Sequence, residues 1–138
     1  MAPYHRIYRV ALVLLLAAVS GCGGNEVPDI SAAAATELKK GRDFLGRGDF
    51  DTAIASFTEA IRLDPNYAEA YYNCGKAYSN KGEYDKAIED YTKAIRRKPH
   101  TRFGSMAYKD RGDAYGEKGE LQKAKADLDK AKSLGYEP

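Results

Sequence analysis

The chain has 138 residues, 43% of them hydrophobic and 30% charged, which is the length and apolar content of a single globular domain. The formal charge is +2, but Arg6 and Arg9 sit ahead of an apolar leader; setting those two aside from the 22 basic residues leaves 20 against 20 acidic ones. That balance argues against a nucleic-acid surface or a polybasic membrane surface, and two cysteines, Cys22 and Cys74, are too few for a disulfide framework.

In chain order, Arg6 and Arg9 precede an unbroken apolar run from Val10 to Val19, and small residues then lead into Cys22. This is the pattern of a secretion signal over residues 1 to 21, and its apolar run is about half the roughly 20 residues that a membrane-spanning helix needs. Val19-Ser20-Gly21-Cys22 resembles the bacterial lipobox, in which small residues admit the backbone to the signal peptidase and the cysteine supplies the sulfur that is acylated. The resemblance implies that Cys22 becomes the lipidated first residue of a bacterial lipoprotein, carrying palmitate or a similar chain. At about 0.8 kcal/mol per buried methylene, two or three acyl chains hold a protein stably at a membrane. Residues 22 to 30, opening Cys22-Gly23-Gly24-Asn25, read as a flexible tether that lifts the domain by at most about 30 Å. In such lipoproteins an aspartate after the cysteine favours the inner membrane; Gly23 in its place makes the periplasmic face of the outer membrane the expected location.

From about residue 31 the chain repeats itself. Gly41, Gly75 and Gly112 correspond, as do Phe44, Tyr78 and Tyr115; Gly48, Gly82 and Gly119; Ala53, Ala87 and Ala124; Phe57, Tyr91 and Leu128; and Ala60, Ala94 and Ala131. The steps are 34 and 37 residues, with the three extra ones expected in a connector from Thr101 to Gly104. In the middle unit Tyr71, Cys74, Gly75 and Tyr78 follow the i, i+3, i+4, i+7 spacing of a helix, and Ala87, Ile88, Tyr91, Ala94 and Ile95 mark a second. Asn80-Lys81-Gly82-Glu83 reads as the turn between them, and Pro65 and Pro99 as stops to the second helices. In the third unit Lys125 and Lys132 replace the isoleucines that would pack on a further unit, and Glu37 and Lys40 are polar at the other end. Three units capped at both ends, forming a monomer, is therefore the expected array.

These residues resemble the tetratricopeptide repeat. The middle unit carries nearly the whole family pattern in Tyr71, Gly75, Tyr78, Ala87, Tyr91, Ala94 and Pro99, while Glu37, Lys40, Arg111 and Tyr136 depart from it in the outer units. The resemblance implies an all-α fold, a right-handed α-solenoid of three helix-turn-helix repeats at about 34–67, 68–101 and 105–138 within a domain of residues 31–138. It also implies a protein-interaction scaffold with a concave groove lined by the first helix of each unit. Transferred by position, that face comprises Leu38, Lys39, Arg42 and Leu45; Glu69, Tyr72, Asn73, Lys76, Ser79 and Asn80; and Lys109, Asp110, Asp113 and Glu117. Tyr72 and Asn73 are the expected centre of binding, with neither assigned to the core, whereas Tyr78 is expected inside. Asn73 matches one residue of the family's carboxylate clamp, but Met106 and Asp110 stand at two of its basic positions, which argues against capture of a terminal carboxylate. The partner is thus expected to be a peptide or protein helix; the alternative is direct binding of cell-wall glycan or peptide fragments.

No enzymatic chemistry is expected. His5 lies in the signal, leaving His100 alone in a connector, short of a hydrolytic triad or a metal site. Gly41 to Gly46 lacks the Lys-Ser/Thr of a phosphate loop, and Asp49 and Asp51 lack the rest of a calcium loop. No cofactor or metal follows from these residues. Cys74 falls on the apolar face, as an inert buried thiol. The run Arg96, Arg97, Lys98 and Arg102 reads first as charge at the negative end of a helix, and second as a contact for anionic lipid or an acidic partner.

Overall fold

The computed structural model describes residues 29–136. The secretion signal, the lipobox with Cys22 and the tether as far as residue 28 lie outside the described residues. Six helices follow in order: α1 (Ile30–Gly46), α2 (Phe50–Leu63), α3 (Ala68–Asn80), α4 (Tyr84–Arg97), α5 (Arg102–Glu117) and α6 (Leu121–Ser133). Among the described residues there is no strand, and no helix is long and apolar enough to cross a membrane. The helices pair as hairpins, α1 with α2, α3 with α4 and α5 with α6. Successive hairpins stack through α2 on α3 and α4 on α5, while α1, α3 and α5 also touch along one side. This is the three-repeat solenoid of tetratricopeptide type.

Local chemistry sets the helix ends. The Asp29 carboxylate accepts from the Ser31 amide at 3.0 Å and that of Asp49 from the Thr52 amide at 3.2 Å, each satisfying a free donor at a helix start. At the turn between α3 and α4, Gly82 takes φ +76°, and the Glu83 amide closes back on the Tyr78 carbonyl at 2.9 Å. Helices α2 and α4 stop two residues before Pro65 and Pro99, as proline disfavours helical backbone in the residue before it.

Two helices start earlier than the repeat register. Capped by Asp29, α1 begins at Ile30, ahead of the first unit at Ala34. Residues 102–104, read above as connector, are instead the first turn of α5, because the Thr101 hydroxyl accepts from the Gly104 amide at 3.3 Å. That turn lies against the preceding chain: a Cβ on Gly104 would meet the Lys98 carbonyl at 2.3 Å and that of Pro99 at 2.5 Å. The longer second step of the repeat thus extends a helix and brings Phe103 over α3.

The core is a ladder of aromatic and small side chains. Phe57 and Tyr91, at equivalent positions of α2 and α4, are the largest fully buried side chains. Ile54 and Ile61 pack beneath the second unit and Ile95 is buried beneath the third, whereas Lys125 and Lys132 on α6 are exposed. Tyr78, expected inside, is only partly buried, with Lys86 5.2 Å from its ring. Arg111, unwelcome in the apolar pattern, reaches across to α6 and forms a two-point ion pair with Asp127.

Candidate functional site

The first helices of the three units form one side of the solenoid, and a cleft of about 470 Å³ opens on it. Arg42 and Leu45 come from α1; Glu69, Tyr72, Asn73, Lys76 and Asn80 from α3; and Phe103 and Met106 from α5. Lys76 and Asn80 also border a smaller hollow of about 150 Å³ with Ser79, Asp110 and Asp113, floored by Tyr91. Most of the side chains assigned to the groove from sequence are therefore brought together, because positions four apart share a helix face.

Charge in this groove is largely paired. Arg42 reaches from α1 to Glu69 on α3 at 3.2 Å, and Lys109 bridges Asp113 at 2.7 Å and Asp110 at 3.3 Å. The hydrogen bond to Asp113 pushes the Lys109 pKa up, so it stays charged throughout the neutral range. Lys76 has no carboxylate at ion-pair distance among the described residues and lies 5.8 Å from the Tyr72 ring. Along the groove, charge is thus a series of neutralised pairs, with Lys76 the cation outside them among the described residues.

Several assignments need correction. Leu38 belongs to the core, at 4% exposure, since it continues the buried stripe of Ala34 and Gly41 on α1. Lys39 lies on another side of α1, in a shallow hollow with Lys40, Asp43 and Arg47. Glu117 is exposed at the end of α5 and lines neither part of the groove, and Lys109 lines neither itself, reaching it only through its pairs with Asp110 and Asp113. The largest revision concerns Tyr72 and Asn73, expected as an accessible pair. Tyr72 is 4% exposed, its hydroxyl donates to Asp110 at 2.8 Å, and Phe103 and Tyr91 close over its ring. Burial, then the adjacent Asp110 charge, pushes the phenol pKa far above its usual value. Asn73 is 8% exposed and spends an amide hydrogen on the Glu69 carbonyl at 2.8 Å. Tyr72 is therefore a tie between α3 and α5 at the base of the groove, and its truncation would cost stability.

Sequence reading missed Phe103 and Met106 as lining residues; Thr101, a capping residue type, was the available signal for a helix that places them there. In the basic run, Arg97 is part of the fold. It donates to the Pro65 carbonyl at 2.8 Å, the Lys93 carbonyl at 3.1 Å and the Tyr71 hydroxyl at 3.2 Å. Arg96, Lys98 and Arg102 are exposed. No group of three or more His, Cys, Asp and Glu side chains is placed to hold a metal among the described residues.

Comparisons with known proteins agree with this geometry. A family model described as TPR repeat matches residues 41–82, and models described as tetratricopeptide repeat match residues 68–101 and 107–134. Among solved structures, that of MamA is 35% identical with a TM-score of 0.71, covering 78% of this chain and 61% of the other. This chain thus spans less than two thirds of the MamA structure. The second TPR of Spaghetti (RPAP3), bound to the HSP90 peptide SRMEEVD, is 30% identical with a TM-score of 0.71, covering 75% of this chain and 94% of the other. The TPR2B domain of yeast Sti1, in a pHsp70 complex, is 26% identical with a TM-score of 0.71, covering 75% and 80%. No curated protein sequence matches the chain.

Proposed function

We propose, since the chain belongs to the tetratricopeptide repeat family, that it is a non-catalytic protein-interaction adaptor holding a peptide or helix of its partner in the groove of α1, α3 and α5. The observation that carries this reading is the cleft in which side chains of all three helices converge. Similar repeat domains of RPAP3 and Sti1 have been solved with HSP90 and Hsp70 ligands, which supports a peptide-like guest. Arg42, Lys76 and Asn80 offer polar contacts at its rim, and Leu45, Phe103 and Met106 offer apolar area, the mixture that gives both register and affinity. The alternative, direct binding of wall fragments, would lean on Tyr72 with Asn73 as accessible groups, and both are buried.

The test is capture of partners from crosslinked cell envelopes. Joint replacement of Lys76 and Asn80 by alanine should weaken capture by about 1 to 3 kcal/mol, roughly 5-fold to 150-fold, with thermal unfolding little changed because neither side chain is in the core. Lys39→Ala, on another side of α1, should leave capture intact. The reverse result would place the site outside the groove.

The adaptor is further proposed to be a monomer anchored through acylated Cys22 at the periplasmic face of the outer membrane. The support is Val19-Ser20-Gly21-Cys22 after the apolar run, with Gly23 following. Metabolic labelling with a fatty acid should tag the protein, and Cys22→Ala should abolish the tag. Label retained by that variant would remove the anchor.

A further inference from the structure

Arg111 shows what this fold does with a guanidinium. It donates to both carboxylate oxygens of Asp127, from Nε at 2.7 Å and from Nη2 at 2.8 Å, and from Nη1 to the Thr92 hydroxyl at 2.8 Å. The Tyr108 and Tyr115 rings lie 5.4 and 6.0 Å from its central carbon, within reach of cation–π attraction. The planar fork thus meets a matching carboxylate, a hydroxyl acceptor and two aromatic walls.

One unit earlier the same set of residues recurs with no arginine at the place of Arg111; Arg97 lies on the Tyr71 ring, 4.1 Å from its centroid, and Lys86 lies 5.2 Å from that of Tyr78. The repeat carries Asp127 to Asp90, Tyr108 to Tyr71, Tyr115 to Tyr78 and Thr92 to Thr58, every residue type preserved, while Arg111 becomes Cys74. Thr58, Tyr71, Cys74, Tyr78 and Asp90 line a single cleft of about 400 Å³ between α2, α3 and α4. A thiol stops far short of the space an arginine fills, so the third unit is filled from within and the second lies open. Asp90 is only 8% exposed, and burial raises its carboxyl pKa, the condition of an acid whose charge is incompletely compensated. Its resident cation is Lys93, 3.6 Å away and closer to Glu89 at 2.7 Å. An ammonium at that distance supplies neither two-point pairing nor a planar face, and Glu89 can keep Lys93 when a better guest arrives.

We infer that this cleft receives an arginine side chain of a partner protein, with its guanidinium on Asp90 and Thr58 and its flat faces against Tyr71 and Tyr78. It uses another face of α3 than the groove does, so the inference stands apart from the groove reading. A partner could thus engage both faces of the middle unit.

The probe is N-acetyl-arginine methylamide, titrated into isotope-labelled full chain by NMR beside its lysine and citrulline counterparts. Saturable shifts are expected at Thr58, Tyr71, Cys74, Tyr78 and Asp90, with the lysine probe at least about tenfold weaker and the neutral citrulline probe silent. Asp90→Asn should weaken the arginine probe by about tenfold or more. A second variant reads the cage from inside. Cys74→Arg, ordinarily ruinous at a buried thiol, should fold with a midpoint of thermal unfolding no lower than that of the natural chain, and should no longer take the probe. The inference is overturned by absent shifts, by equal response to arginine and lysine, by shifts centred on Arg42, Glu69 and Asn80, or by a folded Cys74→Arg chain that still binds. If Cys74→Arg does not fold, the titration of the natural chain and of Asp90→Asn decides.

Discussion

Tyr91→Ala will lower the free energy of unfolding by about 3 to 5 kcal/mol, a large share of the roughly 5 to 15 kcal/mol that holds a small domain folded. Tyr91 is 2% exposed, and its position in α4 makes it the joint of the middle unit. Its ring lies against Gly75, where an added Cβ would come within 2.7 Å of it, and 6.0 Å from the ring of Tyr72. Removing it leaves a void that backbones already in close contact cannot collapse to fill, so the cavity adds to the lost burial. The hydroxyl is held neutral by burial, so none of the loss comes from an ion pair. Leu128, the equivalent in the last unit, is half-buried, and its truncation should cost distinctly less. Urea unfolding followed by circular dichroism checks both: a lower midpoint with unchanged slope for Tyr91→Ala, and a smaller shift for Leu128→Ala. Equal shifts would mean that the middle unit is not the joint described here.

The hairpins were legible in the sequence because everything that makes them is local. Glycines at fixed offsets, prolines past the second helices and apolar positions three and four apart need no knowledge of a distant partner. The groove was legible only in part. Lys76, Asn80, Asp110 and Asp113 fell on the right face by spacing alone. Tyr72 and Asn73 did not, because α3 is covered on several sides: every residue from Ala70 to Gly75 is buried, by α2, α4 and the early turn of α5 together. A helix enclosed in this way has no single polar face over that stretch, so a reading that divides it into core and groove assigns some side chains wrongly. Leu38 was misplaced by a smaller error, a groove position transferred onto a buried stripe.

Arg111 is the position where non-local chemistry most changes the meaning of the sequence. As a residue of α5 it is a charge in an apolar stripe; with Asp127, sixteen residues later on α6, it is a two-point pair whose side chains are 15% and 10% exposed. Burial works against the guanidinium charge, and the hydrogen bonds and attraction of Asp127 outweigh it, so the Arg111 pKa remains above the ordinary value. Breaking such a pair costs more than the pair contributes, because the surviving charge stays buried without compensation. Arg111→Met should therefore destabilise by about 3 to 5 kcal/mol at neutral pH, leaving Asp127 with no partner. Replacing both at once, Arg111→Met with Asp127→Leu, should recover most of that loss, since two apolar side chains of similar volume pack where two charges had to be desolvated. The check is a double-mutant cycle in urea. A double variant no more stable than Arg111→Met alone would show that the cost lies in packing around the long side chain. Recovery would show that the carboxylate, once made, demands its cation, the same demand that the open cage around Asp90 presents to a guest.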